Sequence, residues 1–217
     1  QRAMQIWGNG RSPEAEALLN HALAIRQDRL GPGDPKVAEV IERMGALSYN
    51  RGKYDAAEEP FKKAFDIDRK ALGERNVRTS VLMGDIGAAM REQHRCLEAQ
   101  DIVERSLKLY RESLPPNNLL IAGRLNNLSR IYFCERRYSD ARQALRNSLS
   151  IYVARSNAVG MQEDQALLKR IDNAERNAHR LAAWGFVLGA SALLSLTVHV
   201  TCTLWCERRH IATAANR

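Results

Sequence analysis

The sequence predicts an all-α chain: a solenoid of helical hairpins, then a capping helix, then one long apolar helix. Three observations carry this. Equivalent residues recur every 42 positions, each repeat holds two stretches of helical periodicity, and a long uncharged run follows the last repeat.

The period is kept without insertion. Ala15, Ala57, Ala99 and Ala141 are 42 apart, and so are Ala22, Ala64, Ser106 and Ser148. Leu23, Phe65, Leu107 and Leu149 repeat the spacing, as do Ile25, Ile67, Leu109 and Ile151. A solenoid keeps one spacing because each unit buries its apolar face against the next copy of itself. Such arrays present binding surfaces, so the repeat already bears on function.

Within the second unit, Val37, Ile41, Met44, Gly45 and Leu47 recur at steps of three and four, which marks a helix. The turn Asn50-Arg51-Gly52-Lys53 follows, and Ala56, Ala57, Pro60, Phe61, Ala64, Phe65 and Ile67 form a second apolar stripe. Gly45, Gly87 and Ser129 are small residues on successive first helices; Ala57, Ala99 and Ala141 are their counterparts on second helices. Two helices approach closely only where a side chain is tiny or absent, so these positions fix the crossing point. Breakers close each unit: Gly31-Pro32-Gly33 with Pro35, then Gly73, then Pro115-Pro116.

The run of small residue, aromatic, glycine turn, Tyr54-Asp55-Ala56-Ala57-Glu58 and Phe61-x-x-Ala64-Phe65 resembles the tetratricopeptide repeat. The 42-residue period is longer than the usual ~34. It is similar to the repeats of kinesin light chains, as are the runs Leu125 to Tyr132 and Ala64 to Gly73. The resemblance covers about residues 1–155 and implies a right-handed array. It departs at the turn Glu92 to Arg95, which lacks glycine, and at Cys96, which stands where Tyr54 and Tyr138 stand.

The expected organisation is a repeat array over 1–157, a capping or stalk helix over 158–180, a transmembrane helix over 181–206 and a short basic tail over 207–217. Trp7-Gly8-Asn9-Gly10-Arg11 aligns with Tyr49 to Lys53, so the first repeat is incomplete and further repeats are expected before Gln1. Leu167, Leu168, Ile171, Ala174 and Ala178 lie on one side of the capping helix, and Ile171 replaces the small crossing residue.

Leu181 to Cys206 carries no formal charge and is bracketed by Arg180 and Glu207-Arg208-Arg209. As a helix it would be roughly 39 Å long, against a hydrocarbon core of ~30 Å. Trp184 and Trp205 sit near its ends, where amphipathic aromatics favour the interface. Gly185 and Gly189 form a Gly-x-x-x-Gly pair that would allow backbone-to-backbone packing and a homodimer. A single-pass membrane protein is therefore expected. If only repeats precede Gln1 it is tail-anchored, with the array in the cytoplasm. The cysteines point the same way: Cys96, Cys134, Cys202 and Cys206 form no Cys-x-x-Cys pair, and free thiols in a reducing compartment are expected.

The formal net charge is +8, from 33 Lys+Arg against 25 Asp+Glu. Acidic peptides and anionic headgroups would be attracted. The charges are spread along helices, and no base-reading pattern is present, so no nucleic-acid partner is expected. No phosphate-binding glycine loop, His-Glu-x-x-His or Gly-x-Ser-x-Gly occurs, so no catalytic residues, cofactor or metal are assigned. His199, Cys202, Cys206 and His210 share a helix face, but neighbours on one helix are ~5–6 Å apart and four cannot close on one ion.

First helices line the groove of such arrays. Counted from the small residue, the candidate groove residues are Arg43, Tyr49, Asn50, Asp85, Arg91, Asn126, Asn127 and Arg130. The resemblance implies that Asn126 and Asn127 hydrogen-bond the backbone of an extended peptide, since an amide both donates and accepts. Arg43, Arg91 and Arg130 would pair with acidic side chains. The expected function is a non-enzymatic membrane adaptor or scaffold. The alternative is a sensor fragment of a larger membrane signalling protein.

Overall fold

The computed structural model describes residues 13–181. They hold seven bounded helices: α1 (Pro13–Leu30), α2 (Pro35–Asn50), α3 (Tyr54–Leu72), α4 (Val77–Glu92), α5 (Cys96–Ser113), α6 (Leu119–Cys134) and α7 (Tyr138–Ala154). Residues 158–181 are also helical and are called α8. No strand occurs among the described residues. Successive helices pack in order, as the hairpin repeat requires. Two compact units divide the chain, residues 1–171 and 172–217. The repeats and α8 up to Ile171 belong to the first; only 172–181 of the second are described.

Each first helix starts in the same way. Asp34, Asn76 and Asn118, again 42 apart, are extended N-caps whose side-chain oxygens accept from the backbone N–H two residues on. The distances are 2.7 Å from Lys36, 2.9 Å from Arg78 and 2.9 Å from Leu120. Each satisfies a donor that the first turn leaves without an intrahelical partner. Pro35 follows its cap at the start of α2, where a missing N–H does no harm.

Each hairpin turn also repeats. Gly52 has φ 73°, His94 φ 62° and Arg136 φ 60°. The same bond closes the turn each time: Lys53 N to Ser48 O at 3.0 Å, Arg95 N to Met90 O at 3.0 Å, and Arg137 N to Tyr132 O at 2.9 Å. The turn Glu92 to Arg95 therefore keeps its shape without glycine, because its ladder of carbonyl bonds holds His94 in the left-handed region.

The small residues sit at the crossings. A methyl on Gly45 would lie 2.8 Å from the Phe61 ring and 3.2 Å from the Ala57 carbonyl oxygen. One on Gly87 would overlap Val103. Ala57, Ala99 and Ala141 are fully buried. Where Ala64 becomes Ser106 and Ser148, the hydroxyl donates to the Ser80 carbonyl at 2.7 Å and the Ala122 carbonyl at 2.9 Å. That ties each second helix to the first turn of its own hairpin partner. At the end of the array Leu167 and Ile171 of α8 are buried with Ala141 and Leu145.

One expectation is corrected. Cys96, at the start of α5, and Cys134, at the end of α6, are joined in a disulfide with Cα atoms 6.4 Å apart. They occupy different repeat positions, so the period does not reveal the pair. The array brings the start of one hairpin's second helix beside the end of the next hairpin's first.

Among the described residues no helix is long and apolar enough to cross a membrane. The expected span over 181–206, except Leu181, lies outside the described residues, as do Gly185, Gly189, His199, Cys202, Cys206 and His210.

Candidate peptide-binding groove

The first helices α2, α4 and α6 share one face of the repeat unit, and most of the candidate residues meet there in two groups. Toward α2, a hollow of about 530 Å³ is lined by Glu39, Glu42, Arg43, Ala46, Arg78, Val81 and Asp85. Arg43 and Asp85 belong to the expected set; Glu39 and Arg78 do not. Glu39 accepts from Arg26 at 2.9 Å and from Arg43 at 3.0 Å. Arg78 donates to Glu42 at 3.1 Å and to fully buried Asp68 at 2.8 Å. The Arg26 hydrogen bond holds the Glu39 carboxyl below its ordinary range. Burial pushes Glu42 and Asp68 up, against the opposing pull of Arg78.

Asp85 differs from its neighbours. It makes no hydrogen bond or ion pair among the described residues. Burial pushes its carboxyl up to about 7; Arg124 opposes that shift and Glu42 adds to it.

Toward α6, a second group is dominated by arginines. Arg91 donates to the Tyr49 hydroxyl at 3.2 Å and is ion-paired with Glu92. The Tyr49 hydroxyl in turn lies 3.4 Å from Glu92. Arg130 is half-buried, and burial and then the repulsion of Arg91 push its guanidinium below the ordinary arginine range; Arg170 of α8 adds to the repulsion. Glu163 pulls the other way.

The asparagines separate. Asn126 donates to buried Asp164 of α8 at 2.6 Å and accepts from Arg130 Nε at 2.8 Å. Its amide is thereby engaged inside the protein, helping to seat α8. Asn127 is half-buried and makes no hydrogen bond among the described residues. Asn50 is the exposed last residue of α2 and stands apart from both groups.

Arg124 and Asp164 are buried polar residues absent from the candidate set. The register could have flagged Arg124, which stands where Val40 and Leu82 stand. Nothing comparable marked Asp164. A further hollow of about 600 Å³ lies elsewhere: between α5, α6 and α7, floored by Leu107, Leu125 and Leu128.

The tetratricopeptide repeat pattern matches residues 1–70, 39–112 and 78–153. No curated protein matches the chain. Among solved structures, it is similar to a Podosopora anserina protein assigned as a kinesin light chain, with nearly identical TPR-like repeats. The TM-score is 0.65 at 19% identity, covering 82% of this chain and 85% of that one. It is similar to BtubC from P. vanneervenii, with TM-score 0.59 at 18% identity over 79% and 76% of the two chains. The apo form of RapI superposes with TM-score 0.68 at 16% identity, covering 81% of this chain and 62% of that one. At these identities the likeness shows the shared all-α hairpin fold.

Proposed function

The chain belongs to the tetratricopeptide repeat family, and on that premise we propose that it is a non-enzymatic adaptor whose α2, α4 and α6 face holds an acidic peptide segment of a protein partner. The observation that carries this is the arginine group. Arg91 and Arg130 lie on one face with Tyr49 beside Arg91, and burial and then the repulsion of Arg91 push the Arg130 guanidinium below the ordinary arginine range. A carboxylate from a partner would relieve that repulsion and gain charge-assisted hydrogen bonds. Shape and many shallow contacts would supply the rest of the affinity.

The test is selection of end-capped random nonapeptides on the full chain. Acidic peptides should be recovered, and Arg130→Ala should weaken them about tenfold, as should raising the salt concentration. Recovered peptides that bind Arg130→Ala and Arg91→Ala as tightly as the parent chain would remove the groove assignment.

The adaptor reading includes a bilayer anchor, supported by the uncharged run Leu181 to Cys206 with its flanking charges and tryptophans. The Cys96–Cys134 disulfide supports an array on the oxidising side of that membrane, in place of the cytoplasmic side that free thiols favoured. An array on that side also suits the sensor alternative, in which a ligand is detected outside. Protease protection in the native membrane separates the two orientations: repeats digested from the cytoplasmic side restore the cytoplasmic adaptor.

A further inference from the structure

We propose that the hollow between α2 and α4 is a subsite for a lysine or arginine side chain of the bound peptide, with Asp85 as its acceptor. This rests on the groove reading and adds a second, oppositely charged requirement to it.

Three carboxylates line the hollow, against two guanidiniums. Glu39 is held by Arg26 and Arg43, and Glu42 by Arg78, whose remaining contact goes to Asp68. Both lining arginines are therefore occupied. Asp85 has no donor among the described residues. Arg124 is near enough to act on it electrostatically, but its Nη2 donates to the Val81 carbonyl at 3.2 Å and the Tyr110 hydroxyl at 3.4 Å. A carboxylate set in a hollow with no donor is an unfavourable arrangement that an incoming cation would correct.

The groove is then bipolar. The acid without a donor lies at the α2 side and the arginine group toward α6. Arg91 is six residues beyond Asp85 on the same helix, about 9 Å along its axis. An extended peptide covers that distance in about three residues. The partner segment should therefore carry a basic residue about three positions from its acidic ones. A peptide that was only acidic would leave Asp85 unpaired.

The hollow is faced by Glu39, Glu42 and Arg43 from α2, Arg78 and Asp85 from α4, with Arg124 of α6 and Tyr110 of α5 close behind. Protonation of Asp85 near pH 7 would abolish the acceptor, so recognition of the basic residue should weaken as the pH falls below neutrality.

The test uses the full chain and the capped random nonapeptide library, selected at pH 8 on the parent chain and on Asp85→Asn and Arg130→Ala. The expected result is enrichment of Lys or Arg at one fixed position beside the acidic ones. Asp85→Asn should lose that enrichment at least tenfold and keep the acidic preference. Arg130→Ala should do the reverse. Acidic peptides without a basic position, or an enrichment that survives Asp85→Asn, would overturn the subsite and leave the groove standing; Asp85 would then serve Arg124 alone. Failure to recover any peptide, or recovery indifferent to Arg130→Ala, would overturn the groove reading and this proposal with it. Circular dichroism of each variant confirms that the helices persist.

Discussion

The guanidinium of Arg124, on α6, fills the space that Gly84, on α4, leaves empty; a methyl group on Gly84 would overlap it. Arg124 is only 7% exposed, and it also lies over the Tyr110 ring, 5.4 Å from the centroid. Its Nε has no hydrogen-bond partner among the described residues. One buried cation thus ties α4, α5 and α6 together at a position where the earlier repeats carry Val40 and Leu82.

Gly84→Ala should therefore destabilise the array by about 2–4 kcal/mol, because it displaces a buried charge from its partners. In an Arg124→Leu background the sign should reverse. The space is then free, and alanine gains up to about 1 kcal/mol of helix propensity over glycine. A double-mutant cycle by urea unfolding reads the coupling directly. Additive effects would show that the notch and the guanidinium are independent.

His94 holds φ 62° where the equivalent Gly52 holds 73°. A side chain there costs on the order of 1–2 kcal/mol, which glycine avoids, and glycine's greater freedom in the unfolded chain offsets part of the gain. His94→Gly should stabilise the protein by about 0.5–1 kcal/mol and raise the thermal midpoint by a few degrees. An unchanged or lower midpoint would mean that the imidazole makes a compensating contact.

The disulfide closes a loop with a sequence separation of 38 residues between adjacent repeats. On the chain-entropy argument, breaking such a link lowers stability by about 2–4 kcal/mol. Thermal unfolding with and without reductant should show that difference for the parent chain and none for a Cys96→Ser, Cys134→Ser pair. Quantitative labelling of both thiols in native protein isolated without reductant would remove the disulfide and the compartment drawn from it.

The Asp85 carboxyl is raised from its ordinary 3.8 to about 7 by burial, with Arg124 opposing and Glu42 reinforcing. The native state therefore holds this proton more tightly than the unfolded chain. Its contribution is fully present below pH 4 and is lost as the pH rises toward 7. Asp85→Asn should remove that slope and stabilise the protein at pH 8 by on the order of 2 kcal/mol, less than the full shift implies because the residue keeps some exposure. Burial raises Glu42 and Asp68 as well, so part of the slope should remain in the variant. Urea titrations between pH 4 and 8 measure both parts.

Much of the fold was legible in the sequence because a strict period forces it. The crossings were readable from Gly45, Gly87 and the alanines, since close helix approach leaves few residue choices. The caps Asp34, Asn76 and Asn118 are equally periodic, but a polar residue just outside a helix carries no apolar signal. The glycine-free turn at His94 was legible only as a departure. Whether its backbone would follow Gly52 depended on carbonyl bonds that spacing does not display.

The candidate groove was legible as a face and not as a set of roles. Counting along first helices placed Arg43, Asp85, Arg91 and Arg130 on one surface. It could not assign their partners, because charge pairing runs between repeats and around their turns: Arg78 reaches back to Asp68 and Glu42, and Asn126 forward to Asp164. The sequence by itself determined the period, the helical hairpins and the small-residue crossings, all of which follow from local periodicity and the need of each unit to bury one face against the next. Only the tertiary structure decided that Cys96 meets Cys134, that Arg124 enters the notch at Gly84, that Asn126 is spent on α8, and that Asp85 has no donor among the described residues. Each of these depends on distances between atoms of different helices, and a one-dimensional repeat specifies the register of those helices without specifying which polar atoms find each other.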